Sequence, residues 1–365
     1  MNNIKNNENI ILLPILGLVI IGLIMVFSSS GIYASHKFGS VYYFFKRQLF
    51  FVILGLIIMY IVSRIPVALF YNTRYFWLLT SLILIILTLT PLGKSVNGAS
   101  RWISIFGFSI QPVEFLKIVL VLYFAWFFGE KQENIKKFSI GFLPPVLVTL
   151  LFAGLLLLQP DFGGAVFICS IFFFMSILGG TRFLYWISSL MLLAGSAITM
   201  IMLSPYRLKR WKAFLHPFQH ANKEGYQIVQ SIYGLAHGGL KGVGIGAGKE
   251  KLFYLPEAHT DFVLSVVGEE MGFWGISIIF LCYFTIFLIC IKWAISIYDL
   301  KDKFLITGIA FILIFSAMLN MAVVMGMIPP KGLVLPFISY GGSNIIATFF
   351  GMGLILSTVR KSNRR

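Results

Sequence analysis

IILLPILGLVIIGLIMVFS, residues 10–28, runs for nineteen positions without an Asp, Glu, Lys or Arg. A helix rising about 1.5 Å per residue crosses the roughly 30 Å hydrocarbon core of a bilayer in about 20 such residues, and it satisfies its own backbone groups where lipid offers none. The run exceeds the apolar segment of a secretory signal, and SSSGIYAS at 28–35 lacks a small-residue cleavage pattern. It therefore reads as a first span. Nine further apolar runs follow, at residues 44–63, 75–91, 112–129, 141–158, 162–178, 183–203, 273–292, 304–328 and 340–358. The fold class this implies is an all-α integral membrane protein, a polytopic bundle of about ten transmembrane helices read as one domain over residues 1–365. One long extracytoplasmic loop, residues 204–260, separates spans seven and eight.

Composition narrows the function classes. The 365 residues are 58% hydrophobic and 12% charged, with a formal charge of +16. The basic residues sit in inter-helix loops rather than in a soluble basic domain, which argues against nucleic acid and for the headgroups of membrane lipids. Cys169, Cys282 and Cys290 lie inside predicted spans with no C-x-x-C spacing, so neither a disulfide framework nor a metal site is indicated. An even number of spans puts both termini on one side. Taking that side as inner, the inner short segments hold fourteen Lys or Arg and the outer ones six, so the positive-inside rule places both termini in the cytoplasm. The long loop then faces outward. Its aromatics, among them Trp211, Phe214, Phe218, Tyr226, Phe253 and Tyr254, are too many for disorder and suggest a segment folded onto the bilayer surface.

Ionisable groups in so apolar a chain mark candidate sites. Arg101, Glu114 and Lys117 fall within GKSVNGASRWISIFGFSIQPVEFLKI, residues 93–118, at the outer mouth of span four. Pro112 suits a first helical turn, which makes Glu114 and Lys117 neighbours on one face. Two readings stand: a surface pair worth a few tenths of a kcal/mol, or charges lining a cavity. Arg207, Lys209 and other loop cations share that side, either as a headgroup-binding patch or as partners for a diphosphate. The glycine run 234–250 fails as a phosphate loop, because Glu250 follows Lys249 where Ser or Thr is needed, and close backbone approach is the better reading. Asp161 in QPDFGG reads as a helix cap. Asn320, deep in span nine, reads as an interhelical hydrogen-bonding group.

YLPEAHTDFV, residues 254–263, is the densest of these stretches. Thr260 or Asp261 would cap a helix beginning at Phe262. An extended stretch would instead aim Glu257, His259 and Asp261 one way, a weak metal-ligand pattern. Continued as a helix, the segment stacks Asp261, Ser265 and Glu269 along one stripe at the outer mouth, where a carboxylate is placed to act as a general base.

Several blocks together resemble the SEDS family (shape, elongation, division and sporulation), which polymerises bacterial cell-wall glycan. They are VNGASRWI at 96–103, SIQPVEFLKI at 109–118, LLLQPDFGG at 156–164, YRLKRWKAFLHPF at 206–218, EGYQIVQSIYGLAHGGLKGVGIG at 224–246, YLPEAHTDFVLSVVGEEMGFWG at 254–275 and PFISYGGSNIIA at 336–347. The segment before Asp261 looks closer to the division or sporulation branch, although Gly164 and AGKE at 247–250 depart from common family residues. The resemblance implies ten spans in the bacterial plasma membrane and an outward-facing glycosyltransferase that consumes lipid II. It makes Asp261 the catalytic carboxylate. Arg101, Glu114, Lys117, Ser339 and Ser343 fall on family motifs for substrate binding or cavity structure, with His259, Lys331, Arg207 and Lys209 as further candidates. It also implies a class B penicillin-binding protein as transpeptidase partner, other division or elongation proteins, and dependence on a divalent cation, Mg2+ or Mn2+, for which the sequence carries no motif. A lipid II flippase and a scaffold of the division machinery are the rival readings.

Overall fold

The computed structural model describes residues 8–96, 99–105, 108–202 and 205–363. Each predicted span corresponds to a helix among the described residues. The helices are α1 (Leu12–Phe38), α2 (Tyr43–Arg64), the short α3 (Val67–Asn72), α4 (Arg74–Thr88), α5 (Pro112–Glu130), α6 (Leu143–Leu158), α7 (Phe162–Gly179), α8 (Phe183–Met202), α9 (Pro205–Leu215), α10 (Tyr226–Gly238), α11 (Val263–Ser296), α12 (Leu300–Val324) and α13 (Gly342–Asn363). Among the described residues eight helical segments are long and apolar enough to cross a membrane, and α4 is apolar but shorter. The chain is a multi-pass membrane protein. In their most apolar windows α5 and α13 are 83% buried and α12 is 72% buried, against 28% for α2, so these three form the centre and α2 the rim. Glycines let α13 lie close along α2, with Phe349 over Gly55 and Val62 over Gly353.

The long loop is not a loop throughout, since α9 and α10 occupy much of residues 204–260. Neither is the chain wholly helical. Strands β1 (Gly93–Val96), β2 (Ala99–Ile105) and β3 (Phe108–Ile110) form an antiparallel sheet between α4 and α5. Asn97-Gly98, the dipeptide that joins β1 to β2 in sequence, is a strong signal for a tight hairpin. The sheet carries Arg101 on its central strand.

Helix α11 is broken. Gly272 has φ 65° and ψ −162°, which separates a half-helix, residues 263–271, from the span that starts at the predicted 273. The break frees backbone groups, and the glycine run takes them up. Val243 N–H donates to the Glu269 carbonyl and Gly244 N–H to that of Glu270, both at 3.0 Å, while Phe273 N–H donates to Gly239 at 2.9 Å. This is the close backbone approach expected of those glycines. A Cβ on Gly272 would overlap the Gly242 amide and the Leu240 carbonyl, at a φ that side chains avoid. Gly272→Ala is therefore expected to cost at least about 1–3 kcal/mol, read as a lower thermal unfolding midpoint in detergent. An unchanged midpoint would contradict this account of the break.

Candidate active site

Residues 254–262 form consecutive turns, not a strand. Thr260 N–H and Phe262 N–H both donate to the Glu257 carbonyl, at 3.1 and 3.2 Å, with Glu257 in the left-handed region at φ 57°. The expected alternation of Glu257, His259 and Asp261 is thereby lost. The capping expectation also fails, because α11 begins at Val263 after Phe262 and receives no side-chain cap. The reason is the turn itself, which satisfies the entering backbone with carbonyls. As a consequence the Asp261 carboxyl has no hydrogen-bond partner among the described residues.

Its position is nevertheless fixed. Asn320 Nδ2, in α12, donates to the Asp261 carbonyl at 2.8 Å and to the Leu333 carbonyl at 2.6 Å, pinning the turn against the segment after α12. Gly332 approaches so closely that a Cβ there would lie 3.1 Å from Asp261 Oδ2. Asp261 as a whole is half-buried. Burial, reinforced by the Glu257 carboxylate and opposed by the Arg101 guanidinium, pushes Asp261 up to about 7.

One cation, Arg101, acts on this carboxyl from another element, and a second, Lys331, stands beside Asp161. Arg101 Nη2 donates to the Pro160 carbonyl at 2.9 Å and lies 3.5 Å from Asp161 Oδ1. Asp161 also accepts from Gly164 N–H at 3.0 Å, so it caps α7 as expected and holds Arg101 besides. Lys331 stands beside α7, its ammonium 5.0 Å from the centre of the Phe162 ring. Burial pulls the Lys331 pKa down and Asp161 draws it up. Strand β2, the start of α7, the segment after α12 and the start of α11 thus converge on one mouth.

Beneath the mouth lies a buried brace. Glu114 and Lys117 pair at 2.7 Å in the first turns of α5, Asn344 Nδ2 of α13 donates to Glu114 at 2.7 Å, and the Lys117 ammonium lies 4.4 Å from the Phe167 ring centre. Ser343 Oγ accepts from Gln111 N–H at 2.9 Å. Ser339 Oγ accepts from Leu335 N–H at 2.9 Å, and Gln48 Nε2 donates to the Ser339 carbonyl at 3.0 Å. Ser339 is fully buried, so it shapes the turn before α13 instead of lining the mouth. Sequence reasoning passed over Gln48, although a lone amide in an apolar span signals an interhelical bond.

The remaining candidates lie elsewhere. His259 packs among Tyr33, Phe44 and Tyr340, with ring centroids 5.6, 4.6 and 5.9 Å away. Burial lowers its pKa, which favours the uncharged ring in this aromatic packing. Lys209 is exposed on α9, and the Arg207 side chain lies outside the described residues. Of the stripe of Asp261, Ser265 and Glu269, only Asp261 reaches the mouth. Ser265 Oγ donates to the Ser231 carbonyl in α10 at 3.0 Å, and Glu269 accepts from Lys249 N–H at 2.8 Å and Glu250 N–H at 3.1 Å. Helix α10 covers that face.

A helical membrane bundle with a half-buried acidic residue, unpartnered among the described residues, near a held guanidinium at one end is the class of protein that this fold and site define. A profile of the FtsW/RodA/SpoVE family, described as cell cycle proteins, matches residues 8–364, and the chain belongs to that family. It is 43% identical over 349 residues to the "Probable peptidoglycan glycosyltransferase FtsW" of Trichlorobacter lovleyi, covering 95% of this chain and 92% of that one. It is 34% identical to the "Stage V sporulation protein E" of Bacillus subtilis, covering 99% and 100%. A chain from the structure described as "Structural coordination of polymerization and crosslinking by a peptidoglycan synthase complex" superposes with a TM-score of 0.81 at 28% identity, over 96% and 97% of the two chains. The Thermus thermophilus rod shape determining protein RodA superposes with a TM-score of 0.70 at 26% identity, over 97% of each.

Proposed function

We propose that this chain is a peptidoglycan glycosyltransferase that polymerises lipid II and releases undecaprenyl diphosphate, with its mouth outside the plasma membrane and both termini in the cytoplasm. The observation that carries this reading is the Asp261 carboxyl, held through its backbone yet free of hydrogen bonds among the described residues, with the Arg101 guanidinium near enough to act on its charge. Asp261 takes the proton from the 4-hydroxyl of the acceptor GlcNAc. The freed oxygen bonds to the anomeric carbon of the donor MurNAc, the bond to the diphosphate breaks, and the anomeric centre inverts. A diphosphate leaves without a proton when cations hold it, which is the part given to Arg101 and Lys331. The identities and the superposition support an enzyme working with a class B penicillin-binding protein and division proteins, in the division or sporulation branch. A divalent cation, Mg2+ or Mn2+, enters only as a companion of the diphosphate. Among the described residues no three His, Cys, Asp or Glu are grouped to hold one, and no step is assigned to it.

The test supplies purified chain, with its transpeptidase, with lipid II and Mg2+ and seeks glycan strands on a gel. Strands support the proposal. Their absence, together with movement of lipid II across vesicle bilayers, would replace it with transport. Arg101→Ala is expected to raise the KM for lipid II about 10-fold or more, as loss of a charge-assisted contact does, while the unfolding midpoint moves little because Asp161 keeps its cap bond to Gly164. An unchanged KM would return Arg101 to a structural role.

A further inference from the structure

A cavity of about 710 Å³ opens between α1 and residues 245–253, with Ile24, Phe27, Ser28, Ser35, His36 and Lys251 among its walls. Another, of about 390 Å³, continues it between α1 and α2 and shares Ile24 and Phe27. Their sizes fall within the roughly 300–1,000 Å³ of small-molecule sites. The second compartment is walled by Ile20, Leu23, Ile24, Phe27, Tyr42 and Phe45, and the polar groups gather at the end of α1 nearest the site. An amphiphile matches that gradient. From Ile20 to Phe27 is about 10 Å along a helix, within the roughly 15 Å half-thickness of the hydrocarbon core.

Charge selects the headgroup. Lys251 Nζ already donates to Glu270 at 2.6 Å, the Gly246 carbonyl at 2.7 Å and Ser28 Oγ at 2.9 Å, so its three donors are spent. His36 is the other basic residue in the walls, too little charge to hold a diphosphate but adequate, with Ser35, for a single phosphodiester. Ile245, Gly246, Lys251 and Phe253 line the end nearest the site. At that rim Phe253 is 58% exposed, holds a strained φ of 68°, and meets His36 edge-on at 5.8 Å. An exposed aromatic kept in a strained conformation at a cavity mouth points to a contact made there.

We propose that the groove formed by α1, α2 and residues 245–253 binds one acyl chain of a phospholipid from the leaflet on the site's side, with its phosphodiester at Ser35 and His36. The test places the full chain in nanodiscs containing phosphatidylglycerol with a photoactivatable group on its acyl chain, and maps the adducts by mass spectrometry. Adducts are expected to concentrate on peptides from residues 20–45 and 245–253. Ile24→Trp, which fills both compartments, is expected to lower them about tenfold, equivalent to ~1.4 kcal/mol of binding. Leu13→Trp, a lipid-facing position of α1 outside the groove, is expected to leave them unchanged. Ile20→Trp replaces the first variant if that one lowers the unfolding midpoint. Even labelling of all lipid-facing helices, insensitivity to both groove variants, or displacement of the label by equimolar undecaprenyl diphosphate would each overturn the proposal.

Discussion

Asp261→Asn is expected to lower glycan polymerisation by about 10²–10⁴-fold, the range that positioned acid–base groups contribute, while leaving the fold intact. The amide keeps the shape and cannot take the proton. The backbone bond from Asn320 holds the turn whatever the side chain. A second readout separates a reactive carboxyl from a structural one. In the folded chain Asp261 is pushed up to about 7 from an ordinary value of 3.8, so folding takes up a proton between those values. The unfolded state there binds fewer protons, and stability contributed at this position falls as pH rises through that window. Asp261→Asn removes the penalty. Its unfolding free energy is expected to match wild type at about pH 4 and to exceed it above about pH 7, by about 2 kcal/mol once residual exposure of the residue is discounted, with a correspondingly higher midpoint. A lower midpoint at the higher pH would mean that the ionised carboxylate is a stabilising partner.

Lys251→Met is expected to destabilise the chain by about 3–5 kcal/mol, the cost of leaving a buried partner charge uncompensated. The Lys251 and Glu270 side chains are 6% and 0% exposed. Without the ammonium, Glu270 keeps the Ser28 hydroxyl and Gly246 N–H, at 2.8 and 3.0 Å, too little for a carboxylate sealed from water. The pair ties α1, the glycine run and the half-helix of α11 together, and Asp261 enters that same half-helix. Polymerisation is therefore expected to fall with stability, and amide exchange in residues 242–251 to rise. The double variant Lys251→Met with Glu270→Leu removes both charges and is expected to recover most of the lost midpoint. A single variant within a degree of wild type would show the pair to be dispensable.

Each apolar run falls on a helix among the described residues, and position 273 as the start of span eight coincides with the break at Gly272, because a span begins where apolar residues begin whatever the chain did before. The motif around Asp261 falls on a carboxyl that has no hydrogen-bond partner among the described residues. What escaped depends on pairing between distant segments. The sheet carrying Arg101 was signalled by Asn97-Gly98, but a short strand beside two apolar helices is overshadowed by them. Ser265 and Glu269 share a helical stripe with Asp261, yet periodicity cannot say which neighbour covers that stripe, and α10 does. Asp161 was legible as a cap because a cap is a local bond, whereas its hold on Arg101, sixty residues away in sequence, was not. The turns that leave Asp261 without a partner hinge on Glu257 at φ 57°, a conformation no local propensity favours.

The central claim is that the Asp261 carboxylate accepts the acceptor's proton, and the pH dependence of polymerisation tests it most directly. With saturating transpeptidase and lipid II, the rate is expected to rise about tenfold per pH unit from about pH 5, bend near the value of about 7 set by burial and Glu257, and level off above it. A rate that stays level from about pH 5 to about pH 8 would contradict it, since proton uptake by this group would then not limit the reaction.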